Sequence, residues 1–253
     1  MSESDYKKFN HLKIHTQYSI CEGAIKIEDL TDKAKEFRIK SIGLSDTSNL
    51  CGAIEFSEKL SKVGTQPIIG SQINFKFNNY IGSLPLIAKN HKGYETILKL
   101  SSDSYLENNK NNEPHCEFEK LVENPEGIIV LSGSLLSLSG KLFLKNKVSY
   151  VEDLYKMLKK SFKNNFYLEI QRHNDQNEKI FEKFNLNLSN KLEVPIIATH
   201  EVFYLDESMH EAHDALLCIK NKSYVNDKDR FKLSNNHNYK NDKEMYNLFS
   251  DLP

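Results

Sequence analysis

The segment His11-Leu12-Lys13-Ile14-His15 sets three titratable side chains two residues apart. Read as a strand, it carries His11, Lys13 and His15 on one face and Leu12 and Ile14 on the other, because side chains alternate with period two. Two imidazoles on one face are the beginning of a metal site. The lysine between them argues the other way, since its ammonium repels the ion they would hold. Further along, Glu22, Asp46, His200 and Glu201 are the side chains best able to join His15 as ligands. A hydrolytic site with several ions needs about three or four imidazole, carboxylate or thiolate ligands per ion. These five groups could furnish one ion, and not easily two or three.

Such residues need a scaffold, and hydrophobic periodicity outlines one. After the first strand, Ile27, Leu30, Ala34 and Phe37 recur at helical spacing. Residues 41–46 read as a short buried strand, and 52–64 as a helix stopped by a glycine. Residues 67–77 alternate as a strand through Ile73, Phe75 and Phe77, and Asn78-Asn79 signals a turn before the next strand. A helix is expected over about 94–106, an exposed polar loop over 107–115, and a strand over 127–134. Val151, Leu154, Leu158 and Phe162 mark a helix face, as do Ile180, Phe181, Phe184 and Leu188. Strands over 166–171 and 194–201 and a helix over 208–221 complete the pattern. About seven strands, mostly followed by helices, predict one α/β domain spanning 1–253. The expected architecture is a closed or nearly closed barrel of about seven parallel-type strands, with an open doubly wound sheet as the alternative. No GxGxxG or GxxxxGK[ST] occurs, which weakens the open sheet. The C-terminal strand ends of a β/α barrel carry its site. There the sequence places His15, Asp46-Thr47, Gln72, Ser134 and His200-Glu201-Val202-Phe203, with Glu22 in the first loop.

The 253 residues are 39% apolar with a net charge of −1, enough for a real core and with no excess of Lys and Arg to track a phosphate backbone, so nucleic-acid binding by this segment alone is not indicated. The polar opening MSESDYKKFN has no signal-peptide character, and no apolar run approaches the ~18 residues of a membrane span. Cys21, Cys51, Cys116 and Cys218 form no CxxC and read as reduced thiols of a cytoplasmic protein.

Eight ordered motifs then become recognisable: HLKIHTQYSICEGAIKIEDL, GLSDTSNLCGAIEF, QPIIGSQINF, LIAKNHKGYETILKL, IIVLSGSL, YLEIQRHN, PIIATHEVFYL and EAHDALLCI. Together they resemble the N-terminal PHP (polymerase and histidinol phosphatase) domain of bacterial replicative DNA polymerase III alpha subunits, from about His11 to Pro253. The resemblance implies a fragment of a longer polymerase and a distorted seven-stranded (β/α)7 barrel. It also implies nine metal-ligand positions, which fall here on Lys13, His15, Glu22, Thr47, Gln72, Ser83, Ser134, Glu201 and Phe203. Only His15 keeps the family residue; Glu22 and Glu201 are altered carboxylates, and six ligands are lost. An ammonium ~4 Å from a divalent ion is repelled by about 8 kcal/mol at an effective dielectric near 20. The expectation is a degenerate site with no metal and no catalytic residue, in which Lys13 neutralises Glu22 or Glu201. The implied partners are the rest of the alpha chain, with its palm Mg²⁺, the proofreading 3′–5′ exonuclease subunit and the replicative holoenzyme, with DNA met only through the parent chain. The alternative is a residual metal-dependent phosphoesterase or exonuclease using His15, Glu22, Asp46, His200 and Glu201 around one ion.

Plainer roles are expected for other conspicuous residues. His15 reads as a hydrogen-bonded pocket histidine, Asp46 as a bonded strand-end carboxylate, and His210 and His213 as surface or packing residues, while His11 falls at the end of its strand opposite the rim and is not expected to be a ligand. The lysine run over 156–165 reads as a solvated helix face.

Overall fold

The computed structural model describes residues 8–107 and 113–252. Residues 108–112 of the expected loop, and residues 1–7 of the polar opening, lie outside them. The chain runs β1 (Lys13–Ile14), α1 (Ile27–Glu36), β2 (Ser41–Gly43), β3 (Asp46–Thr47), α2 (Ala53–Lys62), β4 (Gln66–Ile68), β5 (Gly70–Phe77) and β6 (Tyr80–Ala88). It continues with α3 (His91–Leu106), β7 (Cys116–Glu117), α4 (Phe118–Glu123), β8 (Ile128–Leu131), α5 (Leu138–Leu144) and α6 (Val148–Phe162). Last come β9 (Phe166–Ile170), α7 (Glu178–Leu192), β10 (Ile196–Ala198), β11 (Glu201–Val202), α8 (His210–Asn221) and α9 (Asp242–Leu248).

The α/β class expected from the periodicity holds, but the strands do not form one closed ladder. They divide into a sheet of order β10-β9-β8-β6-β5-β3 with β7 beside β5, and two pairs, β2-β4 and β1-β11. Short breaks at Leu44-Ser45, Ile69 and Thr199-His200 separate β2 from β3, β4 from β5 and β10 from β11. A single parallel bridge, Ile14 to Leu44, reaches from β1 to the break after β2.

Strand direction also departs from the all-parallel expectation, because β6 is antiparallel to both β5 and β8. The cause is local. Asn78 and Asn79 both adopt left-handed backbone, with φ of 47° and 64°. That is the primed two-residue hairpin turn favoured by asparagine, and so short a loop joins only antiparallel strands.

Two apolar clusters flank the polar centre. One packs β5, β6, β8 and β9 against α3 to α7, with Phe75, Val130, Leu154 and Leu168 inside it. The other packs β1 and β2 against α1 and α2, through Ile14, Leu30, Ile42 and Phe56. Val151, Leu154, Leu158 and Phe162 are the buried face of α6, as their spacing requires. The lysine run lies on the opposite, largely solvated face, where Lys156 meets Asp153. Helices α4, α5 and α9 have six or seven residues each and fall below the length at which periodicity reveals a helix.

Asn79→Val forces a β-branched side chain into a left-handed turn and is expected to cost about 1–2 kcal/mol, read by urea denaturation. Asn79→Gly is expected to leave stability within a few tenths of that of the parent chain, and equal losses in both would refute the turn assignment.

Candidate functional site

Four strands and one loop converge on a buried ion pair. Lys13 on β1 sits opposite Glu201 on β11 in the parallel register. Its Nζ lies 3.3 Å from Glu201 Oε2 and 3.5 Å from Glu169 Oε1 of β9. All three residues are essentially without solvent exposure. The Glu201 carboxylate is then fully occupied. His15 Nε2–H donates to Oε1 at 2.9 Å, Ser134 Oγ–H donates to Oε2 at 3.2 Å, and the Gln72 amide donates to Oε1. Ser83 Oγ–H fixes Gln72 from behind by donating to its Oε1 at 3.2 Å.

Glu169 is held in the same thorough way. Its Oε2 accepts the Gly133 N–H at 2.7 Å and its Oε1 accepts the Thr199 hydroxyl at 2.6 Å. Gly133 has φ of 82°, and a Cβ there would stand 2.3 Å from that of Ser137. Only glycine lets this amide approach the carboxylate.

Burial alone would lower the Lys13 ammonium, but Glu169 and Glu201 together hold it above its ordinary value. Burial alone would raise the Glu201 carboxyl, but Lys13, His15 and Gln72 hold it well below the usual carboxylate range. The pair therefore stays charged, which a buried pair does only when further hydrogen bonds complete its shell.

Above this pair opens a pocket of about 280 Å³, walled by His15, Glu22, Thr47, Gln72, Ser83, Glu201 and Phe203. The Phe203 ring stacks on His15 at 4.4 Å, with 29° between planes. Glu22 does not reach Lys13. It pairs with Lys220 of α8 and accepts the Thr47 hydroxyl, while its own carbonyl accepts His213 Nε2–H at 2.8 Å. The expected neutralisation of Glu22 or Glu201 by Lys13 thus resolves to Glu201, with Glu169 as an unforeseen second acceptor.

Asp46 is spent on the loop after β1. It accepts Thr16 N–H, Thr16 Oγ1–H and Ser19 Oγ–H, each at 2.7 Å. Burial raises its carboxyl and these bonds offset part of that rise. His200 turns away from the pocket, donating Nε2–H to the Asn238 carbonyl at 3.0 Å. His11 is bonded the same way to the Lys240 carbonyl at 2.7 Å.

Behind Glu201 lies a group that motif reading missed. Ligand atoms of His173, Asp175 and His237 lie within 4.8 Å of one another. The rings of His173 and His237 stack at 4.0 Å with 3° between planes. An imidazole binds a metal in its ring plane at about 2.0–2.1 Å, so two parallel rings so spaced do not share one ion. They grip a peptide instead. Glu201 N–H donates to His173 Nε2 at 3.2 Å, and His237 Nδ1–H donates to the Glu201 carbonyl, also at 3.2 Å. His237 Nε2 also lies 2.9 Å from Asp175 Oδ2. The hint available beforehand was a charged residue on the inner face of an apolar strand, Glu169 in FYLEIQ; nothing in the sequence linked His237 to Glu201.

These features define a PHP domain. The PHP domain profile matches residues 11–173, and the chain belongs to that family. The resemblance to DNA polymerase III alpha subunits holds. The chain is 36% identical to the DNA polymerase III subunit alpha of Rickettsia bellii over 97% of its own length and 21% of that relative. It is 34% identical to that of Caulobacter vibrioides over 100% of this chain and 23% of the relative. It thus spans less than a quarter of the length of these relatives. Among solved structures, a chain described as a metal-dependent phosphoesterase from Bifidobacterium adolescentis shares the fold. The TM-score is 0.51 and the identity 12%, over 76% of this chain and 86% of the other.

Lys13→Met leaves two buried carboxylates without their cation, and by the cost of breaking a buried pair it is expected to destabilise the fold by about 3–5 kcal/mol, read by chemical denaturation. A loss below 1 kcal/mol would mean that the pair is not the centre of the network.

Four buried imidazoles set the pH response. Burial brings His11 and His213 down to about 4, and His173 and His200 well below their ordinary value. Each is neutral in the fold and gains a proton on unfolding below about 6.5, so their support is complete above 6.5 and lost as pH falls toward 4. Glu178, pushed up to about 7 by burial, and Asp46, also raised by burial, act in the opposite sense, as two groups against four. The melting temperature is expected to fall steadily from pH 7 to pH 5; a flat profile would contradict these assignments.

Proposed function

We propose that this chain is the PHP domain of a DNA polymerase III alpha subunit engaged in DNA replication, and that it serves as a metal-free scaffold. The carrying observation is the Lys13 ammonium placed between the Glu169 and Glu201 carboxylates. The family's metal would need that position, and the donor set does not fit it. Lys13 repels an ion, Glu201 has spent both oxygens, Phe203 covers His15, and hydroxyls at Thr47, Ser83 and Ser134 replace stronger ligands. The three sheets are read as segments of one distorted seven-stranded barrel, closed through β1.

No chemical step is assigned to the pocket. Nucleotidyl transfer belongs to the remainder of the alpha subunit, where a palm would hold its own Mg²⁺. Within the replicative holoenzyme the domain braces that polymerase core and docks the proofreading 3′–5′ exonuclease subunit, whose presence makes loss of the PHP site tolerable. Its setting is the bacterial cytoplasm; no helix among the described residues is long and apolar enough to cross a membrane. A one-ion phosphoesterase is disfavoured by the positions of Asp46 and His200, which face other partners.

Elemental analysis of the purified chain is expected to find no stoichiometric zinc, manganese or iron, and Mn²⁺ is expected to leave its melting temperature unchanged. One ion per chain, with phosphodiester hydrolysis abolished by His15→Ala, would replace the scaffold reading by the enzymatic one. Separately, co-purification with the exonuclease subunit is expected; its failure would remove that partner alone.

A further inference from the structure

We propose that a second cleft of this domain binds single-stranded nucleic acid. The cleft encloses about 240 Å³ between the segment at Phe9, the turn after α1 and the start of α9, and none of its lining residues belongs to the pocket above Lys13. Its apolar surface comes from Phe9, Phe37 and Tyr239. Phe37 is 46% exposed, a large ring left open to water. Lys33 Nζ sits 5.7 Å from the centre of the Phe37 ring and 5.5 Å from that of Tyr239, and Asp206 holds it there at 3.1 Å.

Arg38, Lys40 and Lys243 line the same cleft. Among the described residues none of these three forms an ion pair, whereas Lys59, Lys76, Lys120 and Lys191 are each matched to a glutamate. Of the two acids at the cleft, Asp242 is engaged by Lys8 at 2.7 Å and by the Phe9 N–H at 2.9 Å, and Glu36 is the other. Four cations against two acids make this cleft locally positive in a chain whose net charge is −1. The turn is preformed. Arg38 takes the left-handed position after α1, with φ of 50°, and Ile39 N–H closes the helix end on the Ala34 carbonyl at 3.0 Å.

Unpaired cations beside an open aromatic ring are a means by which proteins hold single strands, the cations taking phosphates and the ring stacking a base; here Phe37 is the open ring, while Tyr239, 9% exposed, is largely buried. A duplex keeps its bases stacked on one another, and an acidic peptide would use the cations but not the ring. A single strand uses both. The site does not depend on the metal question, since the two cavities share no residue.

The test is fluorescence anisotropy of the whole chain with a 5′-labelled oligothymidylate of twelve nucleotides, in parallel with a duplex of equal length and a polyglutamate peptide. Saturable binding of the single strand is expected, weakening as salt rises. Arg38→Glu and Lys40→Glu are each expected to weaken it at least tenfold, and Phe37→Ala about five- to 150-fold, the range of one lost base stack. All three sites are exposed, and unchanged melting temperatures would exclude misfolding. Lys160→Glu, on the far face of α6, is expected to change nothing. Absent binding, equal binding of duplex or polyglutamate, or variants that bind as the parent does would each overturn the proposal.

Discussion

A single buried ammonium organises the centre of this fold. Lys13 on β1 sits between carboxylates on β9 and β11, so it joins the half of the molecule built on β1, β2, α1 and α2 to the half built on the larger sheet. A lysine so deeply buried is tolerable only when its charge is met and every remaining lone pair around it is used. That requirement explains the neighbourhood. Gln72, Ser134, Thr199 and the Gly133 amide each complete one of the two carboxylates, and the histidines behind Glu201 hold its peptide in register.

The same constraint gives the residues around the pair a common logic. Negative and soft side chains, the ligands that suit a metal ion, do not suit a centre whose cation is a covalently attached lysine. Hydroxyls and an amide satisfy a carboxylate–ammonium pair without adding charge. A phenyl ring on His15 removes one direction from which an ion could approach.

Much of this was legible beforehand because it depends on short-range pattern. Period two in HLKIH puts Lys13 and His15 on one face, and both are buried together. Helical spacing picks out the inner face of α6. What escaped depends on distance in the chain. Glu169 could not be paired with Lys13 without knowing that β9 and β11 flank the same space. His173 and His237 meet only through the Glu201 peptide, and nothing local marks His237 as a clamp. The antiparallel β6 was hidden for a different reason, since a turn signal at Asn78-Asn79 was read without its consequence for strand direction. Net charge misleads in a similar way, because a value near zero averages over a cleft where cations outnumber acids.

The most direct test of the central claim is an NMR titration of the Lys13 side chain, isotopically labelled at Cε, with and without excess Zn²⁺. The account predicts an ammonium that stays protonated to above 10.5, the ordinary lysine value, with a resonance indifferent to the metal. Deprotonation near neutral pH, or displacement of the Lys13 signal by stoichiometric Zn²⁺, would contradict it.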